Sequence, residues 1–251
     1  MELYGLIGKQ LSHSWSEKYF SQKFGKEHIP AKYQLFPLDS IELLPGLIER
    51  YPDLKGLNVT IPYKLSVIPF LNSVDREAKM AGSVNTIKIF RNEKGVILVG
   101  YNTDISGFRA SLHKNIKSKK SLSALILGNG GVSRSVKHVL RGEGICCTTV
   151  TRTLKKNDQL SYETLSHRDI EDNLLIINTT PLGMFPDIQN CPDIPYQYLT
   201  KEHLLIDLIY NPELTLFLQK GLEKGAKVMN GEHMLEKQAE AAWKIWSKKG
   251  V

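Results

Sequence analysis

The 251-residue sequence has only three cysteines, and two of them, Cys146 and Cys147, are adjacent within one apolar stretch. Thiols so placed supply neither a disulfide framework nor the paired spacing of a zinc site, so they read as reduced structural thiols, and no metal is expected. No apolar run reaches bilayer-spanning length. The start, Met1 to Gly5, lacks a basic region followed by a hydrophobic segment. These absences set the expectation of a cytoplasmic chain with no membrane partner. Aromatic residues are few, at 8%, and none is interleaved with the densest basic cluster, Lys114, Lys117, Lys119 and Lys120. Without stacking platforms that cluster reads as a solvated stretch, and no nucleic acid is expected despite a net charge of +7. The excess positive charge suits a multiply anionic cofactor and an acidic small substrate.

What is present is the composition of a globular protein, 41% hydrophobic and 24% charged, long enough for one large or two medium domains. Near its middle, Leu125 Ile126 Leu127 runs into Gly128 Asn129 Gly130 Gly131 Val132 Ser133, then into a segment with Val132, Val136, Val139 and Leu140 on one helical face. Strand, tight turn and helix in that order, with Gly128, Gly130 and Ser133 at dinucleotide-fingerprint spacing, let backbone N–H groups approach a pyrophosphate. An ordinary glycine-rich loop would also carry this pattern, so its context decides. In NAD-binding sites an acid about 20 residues on takes the ribose 2′-hydroxyl. Here the next strand, Ile145 to Val150, ends in Thr151 Arg152 Thr153 with no acid. A guanidinium fork flanked by hydroxyls suits a 2′-phosphate, which points to NADP.

Before this stretch the chain reads as a mixed α/β unit. Strands are predicted at Leu3–Gly8, Lys32–Phe36 and Gly56–Val59, helices at about Ser16–Phe24 and from Pro45 through Arg50, and a hairpin joins Val84–Phe90 to Val96–Tyr101. From Ser123 onward strands at 124–127, 145–150, 174–177, 204–208 and 227–229 alternate with helical stretches, which implies a parallel sheet with right-handed crossovers. Ligands bind beyond the carboxyl ends of such strands. Those ends carry Gly128 to Gly131, Thr151 to Thr153, Asn178 to Thr180, and Ile209 with Tyr210. The last helix, roughly Glu232 to Lys248, places Gln238 inside an apolar stripe, where it needs a partner, either a polyhydroxylated ligand or a backbone carbonyl.

Ketone reduction needs a hydride at carbon and a proton at oxygen, and a lysine whose pKa is lowered by burial, oriented by a carboxylate, suits the second task. Lys64 follows Pro62 at the end of an element holding Asn58 and Thr60, and Asp104 follows Tyr101 Asn102 Thr103. A plain helix N-cap accounts for Asp104 equally well.

The ordered series as a whole resembles the shikimate dehydrogenase family. It comprises Ser14 and Ser16; Asn58 Val59 Thr60 Ile61 Pro62 Tyr63 Lys64; Gly82 to Thr86; Asn102 Thr103 Asp104 Ile105; and Gly128 to Gly131. Thr151 to Thr153, Asn178 to Met184, and Met234 Leu235 with Gln238 Ala239 complete it. The resemblance spans nearly the whole chain and implies NADP-linked interconversion of 3-dehydroshikimate and shikimate, a step towards chorismate and the aromatic amino acids. By motif, Lys64 and Asp104 would be the catalytic pair. Ser14 and Ser16 would hold the substrate carboxylate, with Asn58, Thr60, Asn85, Asp104, Tyr210 and Gln238 around its ring hydroxyls. Gly128, Asn129, Gly130, Gly131 and Val132 would cradle the pyrophosphate, Thr151, Arg152 and Thr153 the adenosine phosphate, and Thr180, Leu208 and Gly231 would complete the cofactor site.

The implied fold is α/β with two domains. Residues 1–104 would form the mixed substrate domain, 105–230 a Rossmann-like parallel-sheet NADP domain, and 231–251 a helix returning to the substrate domain. The family site is a cleft between the domains, so closure on ligand binding is expected. Glu17 stands where the family usually has proline, and Thr151 where asparagine is usual. A dual-specificity quinate/shikimate enzyme, or a non-catalytic regulator binding NADP or shikimate, are the alternatives; the regulator would be expected to lose Lys64 or Asp104. A monomer or homodimer is expected.

Overall fold

The computed structural model describes residues 1–11, 14–116, 122–154 and 159–248. Lys117, Lys119 and Lys120 of the basic cluster lie outside the described residues. The chain divides into two compact units, Met1–Ser106 with Gln238–Val251, and Gly107–Lys237.

The first unit is built on β1 (Glu2–Gly8), α1 (Trp15–Lys26), β2 (Ala31–Pro37), α2 (Leu44–Arg50), β3 (Leu54–Val59), β4 (Ser73–Val74), α3 (Arg76–Ala81), β5 (Thr86–Asn92), β6 (Gly95–Tyr101) and the start of α4 (Thr103–Asn115). Its six-stranded sheet has the order β2-β1-β3-β5-β6-β4. Strand β1 is parallel to β2 and β3, whereas β5 runs antiparallel to β3 and β6. The predicted hairpin forms with Asn92 opposite Gly95, and Gly95 at φ 120° supplies the backbone conformation its turn requires. One face of the sheet packs Ile7, Leu57, Val59, Ile87 and Leu98 against Leu44, Ile48 and Val67. The other carries an aromatic cluster in which Tyr4 stacks on Trp246 at 5.0 Å and Tyr33 on Phe20 at 4.7 Å. Gly56 makes room for this cluster, because a Cβ there would lie 2.3 Å from Trp246 Nε1, which instead donates to Ile87 O at 3.0 Å.

The second unit continues with β7 (Ser123–Leu127), α5 (Gly131–Gly142), β8 (Cys146–Val150), β9 (Gln159–Leu160), α6 (His167–Glu171), β10 (Leu175–Asn178), β11 (Leu204–Asp207), α7 (Leu216–Glu223), β12 (Lys227–Met229) and the start of α8 (Glu232–Ser247). The sheet order is β12-β11-β10-β7-β8-β9, and every pairing is parallel. Residues 124–127 and 175–178 are buried throughout, as strands covered on both faces must be. Register fixes the ligand edge, since Leu127 lies opposite both Val150 and Asn178, and Asn178 opposite Asp207. The residues that follow these ends, Gly128, Thr151, Thr179 and Leu208, therefore emerge at one edge of one sheet. Two-residue strands such as β4 and β9 have no periodicity to read, and sequence patterning does not find them.

Candidate active site

In the first unit the acid and base candidates meet. The Lys64 carbonyl accepts from Val84 N at 2.8 Å, and the adjacent Tyr63 is anchored through its hydroxyl to Leu38 O at 2.5 Å. Helix α4 is capped not by Asp104 but by Asn102, whose Oδ1 accepts from Ile105 N at 3.3 Å while its Nδ2 donates to Ser83 O. That corrects the N-cap reading of Asp104. Its carboxylate, 2% exposed, instead accepts from Lys64 Nζ at 2.7 Å on Oδ2 and from Asn85 Nδ2 at 2.9 Å on Oδ1. Such a sheltered ion pair tolerates the loss of either partner poorly, because the other charge is left without compensation.

Asn85 is buried, and its amide orientation is fixed by what surrounds it. Oδ1 accepts from Thr103 N at 2.6 Å and from the hydroxyls of Thr86 and Thr103, so Nδ2 turns to Asp104 and to Gln238 Oε1, at 3.0 Å. The partner of Gln238 in the apolar stripe is thus a side-chain amide rather than a backbone carbonyl. Asn58 accepts from Tyr33 Oη at 2.8 Å and donates to Thr86 Oγ1 at 3.2 Å. Thr60 is half-buried, with its N–H on Ile7 O. Ser14 caps α1, its Oγ accepting from Glu17 N at 3.4 Å; a proline at position 17 would lack that donor. Ser16, half-buried in the first turn, interacts with the hydroxyl of Tyr33, whose titration is pushed far up, chiefly by burial.

In the second unit, Gly128 adopts φ 108°, and a Cβ there would lie 2.8 Å from Thr179 Oγ1. Ser133 Oγ donates to Gly128 O at 2.7 Å and holds the turn against α5. Helix α5 begins after Gly130 with no side-chain cap, and open space surrounds Gly130 where a side chain would be. Asn129 and Arg152 are exposed, Val132 half-buried, and Thr151 Oγ1 accepts from Thr153 N at 3.4 Å. Gly231 donates its N–H to Ile209 O and lies so close to Leu208 that a Cβ would fall 2.2 Å from Leu208 O. Tyr210 is half-buried in this unit.

Sequence reasoning missed the group that fastens two of these loops. Asp207, fully buried, accepts from Thr215 Oγ1 at 2.6 Å, Asn178 Nδ2 at 3.1 Å and Ile209 N at 3.1 Å. Asn178 Oδ1 in turn accepts from Thr180 N and Thr180 Oγ1, at 2.9 and 2.7 Å. Burial raises the Asp207 pKa to about 6, and the three donors oppose the shift. The signal available in the sequence was a lone acid at a strand end followed by a threonine at a helix start. A cavity of about 560 Å3, bordered by Lys114, Glu213, Leu214, Met229 and His233, lies in the same unit, and no predicted site residue lines it. Among the described residues no group of three or more His, Cys, Asp or Glu could hold a metal.

Residues 6–87 match the shikimate dehydrogenase substrate binding domain. Over 98% of its length the chain is 39% identical to the shikimate dehydrogenase (NADP(+)) of Clostridium beijerinckii, covering 92% of that protein. The chain belongs to the shikimate dehydrogenase family. Among solved structures, shikimate dehydrogenase 1 from Peptoclostridium difficile is 33% identical with a TM-score of 0.86, over 100% of this chain and 93% of that one. The shikimate 5-dehydrogenase of Thermus thermophilus in complex with NADP(H) and shikimate is 28% identical with a TM-score of 0.84, over 98% and 94%. Members of the shikimate dehydrogenase family thus share the α/β architecture of both units.

Proposed function

We propose that Lys64 and Asp104 are the acid/base pair of an NADP-dependent shikimate dehydrogenase, which reduces 3-dehydroshikimate reversibly to shikimate. The observation that carries the reading is the 2.7 Å Lys64–Asp104 pair, sheltered from solvent and steadied by Asn85. The second unit suits NADP, because α5 opens without a side-chain cap, Gly130 leaves the backbone approachable, and Arg152 stands exposed at the tip of β8. NADPH, when bound, supplies the hydride. Lys64 Nζ holds the proton for the oxygen of the ketone being reduced, and the Asp104 carboxylate keeps Nζ oriented and balances its charge. In the oxidation of shikimate the same nitrogen takes that proton back.

In this reading Ser14 and Ser16, at the start of α1, receive the substrate carboxylate, while Asn58, Thr60, Asn85, Tyr210 and Gln238 serve its hydroxyls. The cofactor set is Gly128 to Val132, Thr151 to Thr153, Thr180, Leu208 and Gly231. The same reading makes the chain a cytoplasmic monomer or homodimer that works on small molecules, without a membrane or nucleic-acid partner. Its three cysteines are free, and among the described residues no helix is long and apolar enough to cross a membrane.

Lys64→Ala tests the pair. NADP affinity, followed by titration, is expected to stay near wild type while shikimate oxidation falls by about 10²- to 10⁴-fold, the range that positioned acid/base groups supply. Near-normal turnover in that variant would remove Lys64 from the chemistry. Parallel runs with quinate and NAD read out substrate and cofactor choice.

A further inference from the structure

Asn58 is assigned to the substrate, yet its amide is held on both sides by residues with no assigned role. Tyr33 Oη donates to Asn58 Oδ1 at 2.8 Å, which directs Nδ2 to Thr86 Oγ1 at 3.2 Å. Thr86 has one hydroxyl proton, and with Asn58 donating to it that proton goes to Asn85 Oδ1, 3.1 Å away, or to Thr103 Oγ1, 3.0 Å away, whose own hydroxyl donates to the same Asn85 oxygen. Asn85 Oδ1, which also accepts from Thr103 N at 2.6 Å, is thereby occupied from within, and Nδ2 faces Asp104 at 2.9 Å, which in turn holds Lys64. At the other end, the Ser16 side chain interacts with the same Tyr33 hydroxyl. One chain of hydrogen bonds therefore runs from Tyr33 in β2 to the Lys64–Asp104 pair, entirely within the first unit.

We propose that Tyr33 is a positioning residue of the substrate site: its hydroxyl fixes which way the Asn58 amide points and, through Thr86, adds one of the hydrogen bonds that hold Asn85 against Asp104. The proposal rests on the reading of Lys64 and Asp104 as the acid/base pair. The direction of the relay follows from donor and acceptor inventory. A phenol that stays protonated is the donor that makes Asn58 present its oxygen to β2 and its NH2 to β5. Without that donor only the long 3.5 Å contact of Nδ2 with Asn85 O opposes reversal of the amide, which draws the Thr86 proton onto Asn58 Oδ1 and away from Asn85. Sequence reading had no route to Tyr33, because an aromatic in an alternating strand reads as core, and its ring is core: it stacks on Phe20 and is 5% exposed.

Tyr33→Phe removes the hydroxyl and keeps the stacked ring, and Thr86→Val cuts the relay one step further on. For Tyr33→Phe, kcat for shikimate oxidation is expected to fall and the shikimate KM to rise, so that kcat/KM drops by about three- to tenfold, the worth of one oriented hydrogen bond. The KM for NADP should stay unchanged. The double variant should be no worse in kcat than Thr86→Val alone, because both changes break one chain. Unchanged kcat and KM in Tyr33→Phe, a loss of thermal stability alone, or effects that multiply in the double variant would each overturn the relay. Lys64→Ala, assayed alongside, separates the two readings. If it retains turnover, the acid/base assignment fails irrespective of Tyr33; if it is inactive while Tyr33→Phe behaves as wild type, the relay alone fails.

Discussion

Replacing Asp207 with asparagine should change the pH dependence of stability in a way that can be calculated. The carboxylate is fully buried and its pKa is about 6, raised from 3.8 mainly by desolvation, with Thr215, Ile209 N and Asn178 pulling the other way. An acid whose folded pKa is raised binds more protons folded than unfolded between the two values, so stability falls as pH rises through that window. A shift of about two units corresponds to about 3 kcal/mol in total, of which about 2 kcal/mol is lost between pH 4.5 and 7.5. Tyr196 is the titratable side chain facing this carboxylate, and burial raises its own pKa far above the window, so it stays neutral throughout.

Asparagine keeps the shape and can still accept from Asn178 and Ile209 N, although the bond from Thr215 must reverse. Urea unfolding of wild type and Asp207→Asn at pH 4.5, 6.0 and 7.5 is the assay. The difference between the two curves should move in favour of the variant by about 2 kcal/mol across that range. Parallel pH profiles would mean that Asp207 titrates normally when folded, and the account of a desolvated carboxylate fastening the β10 and β11 loops would be wrong.

Arg152→Ala should weaken NADP binding by about tenfold, the value of a solvent-exposed charge-assisted contact, and leave NAD binding unchanged. Calorimetric titration of both nucleotides checks it, and equal weakening would remove the 2′-phosphate argument. Gly231→Ala places a Cβ 2.2 Å from Leu208 O, a backbone atom that cannot swing aside. It is expected to destabilise the protein by about 1–3 kcal/mol and to raise the KM for NADP. Unaltered urea unfolding in this variant would show that the two loops part without cost.

Much of the second unit was readable because its evidence is local. Continuous apolar runs ending in glycines and hydroxyls mark parallel strands and their ligand edge, and the observed register of Leu127, Val150, Asn178 and Asp207 places those ends together. In the first unit the alternation around Val84–Tyr101 and its turn residues specify the hairpin. Elements of two residues, β4 and β9, exist only because a neighbouring strand offers an unpaired edge. Asp104 shows the limit of position-based reading, since a carboxylate at a helix start has the same local signature whether it caps or not. Only the side chain of Asn102, taking the cap, frees Asp104 for Lys64.

The sequence by itself determined the α/β class, the glycine turn before α5, the arginine at the tip of β8 and the motif order that marks the family. Each of these depends on backbone preferences and side chains within a few residues of one another. The tertiary structure decided which polar groups meet: Gln238 with Asn85, 153 residues away; Tyr33 with Asn58, 25 away; Asp207 with Asn178, 29 away. A buried donor or acceptor is satisfied by whatever the packed fold brings within about 3 Å, and that distance is set by the whole core rather than by the neighbouring sequence.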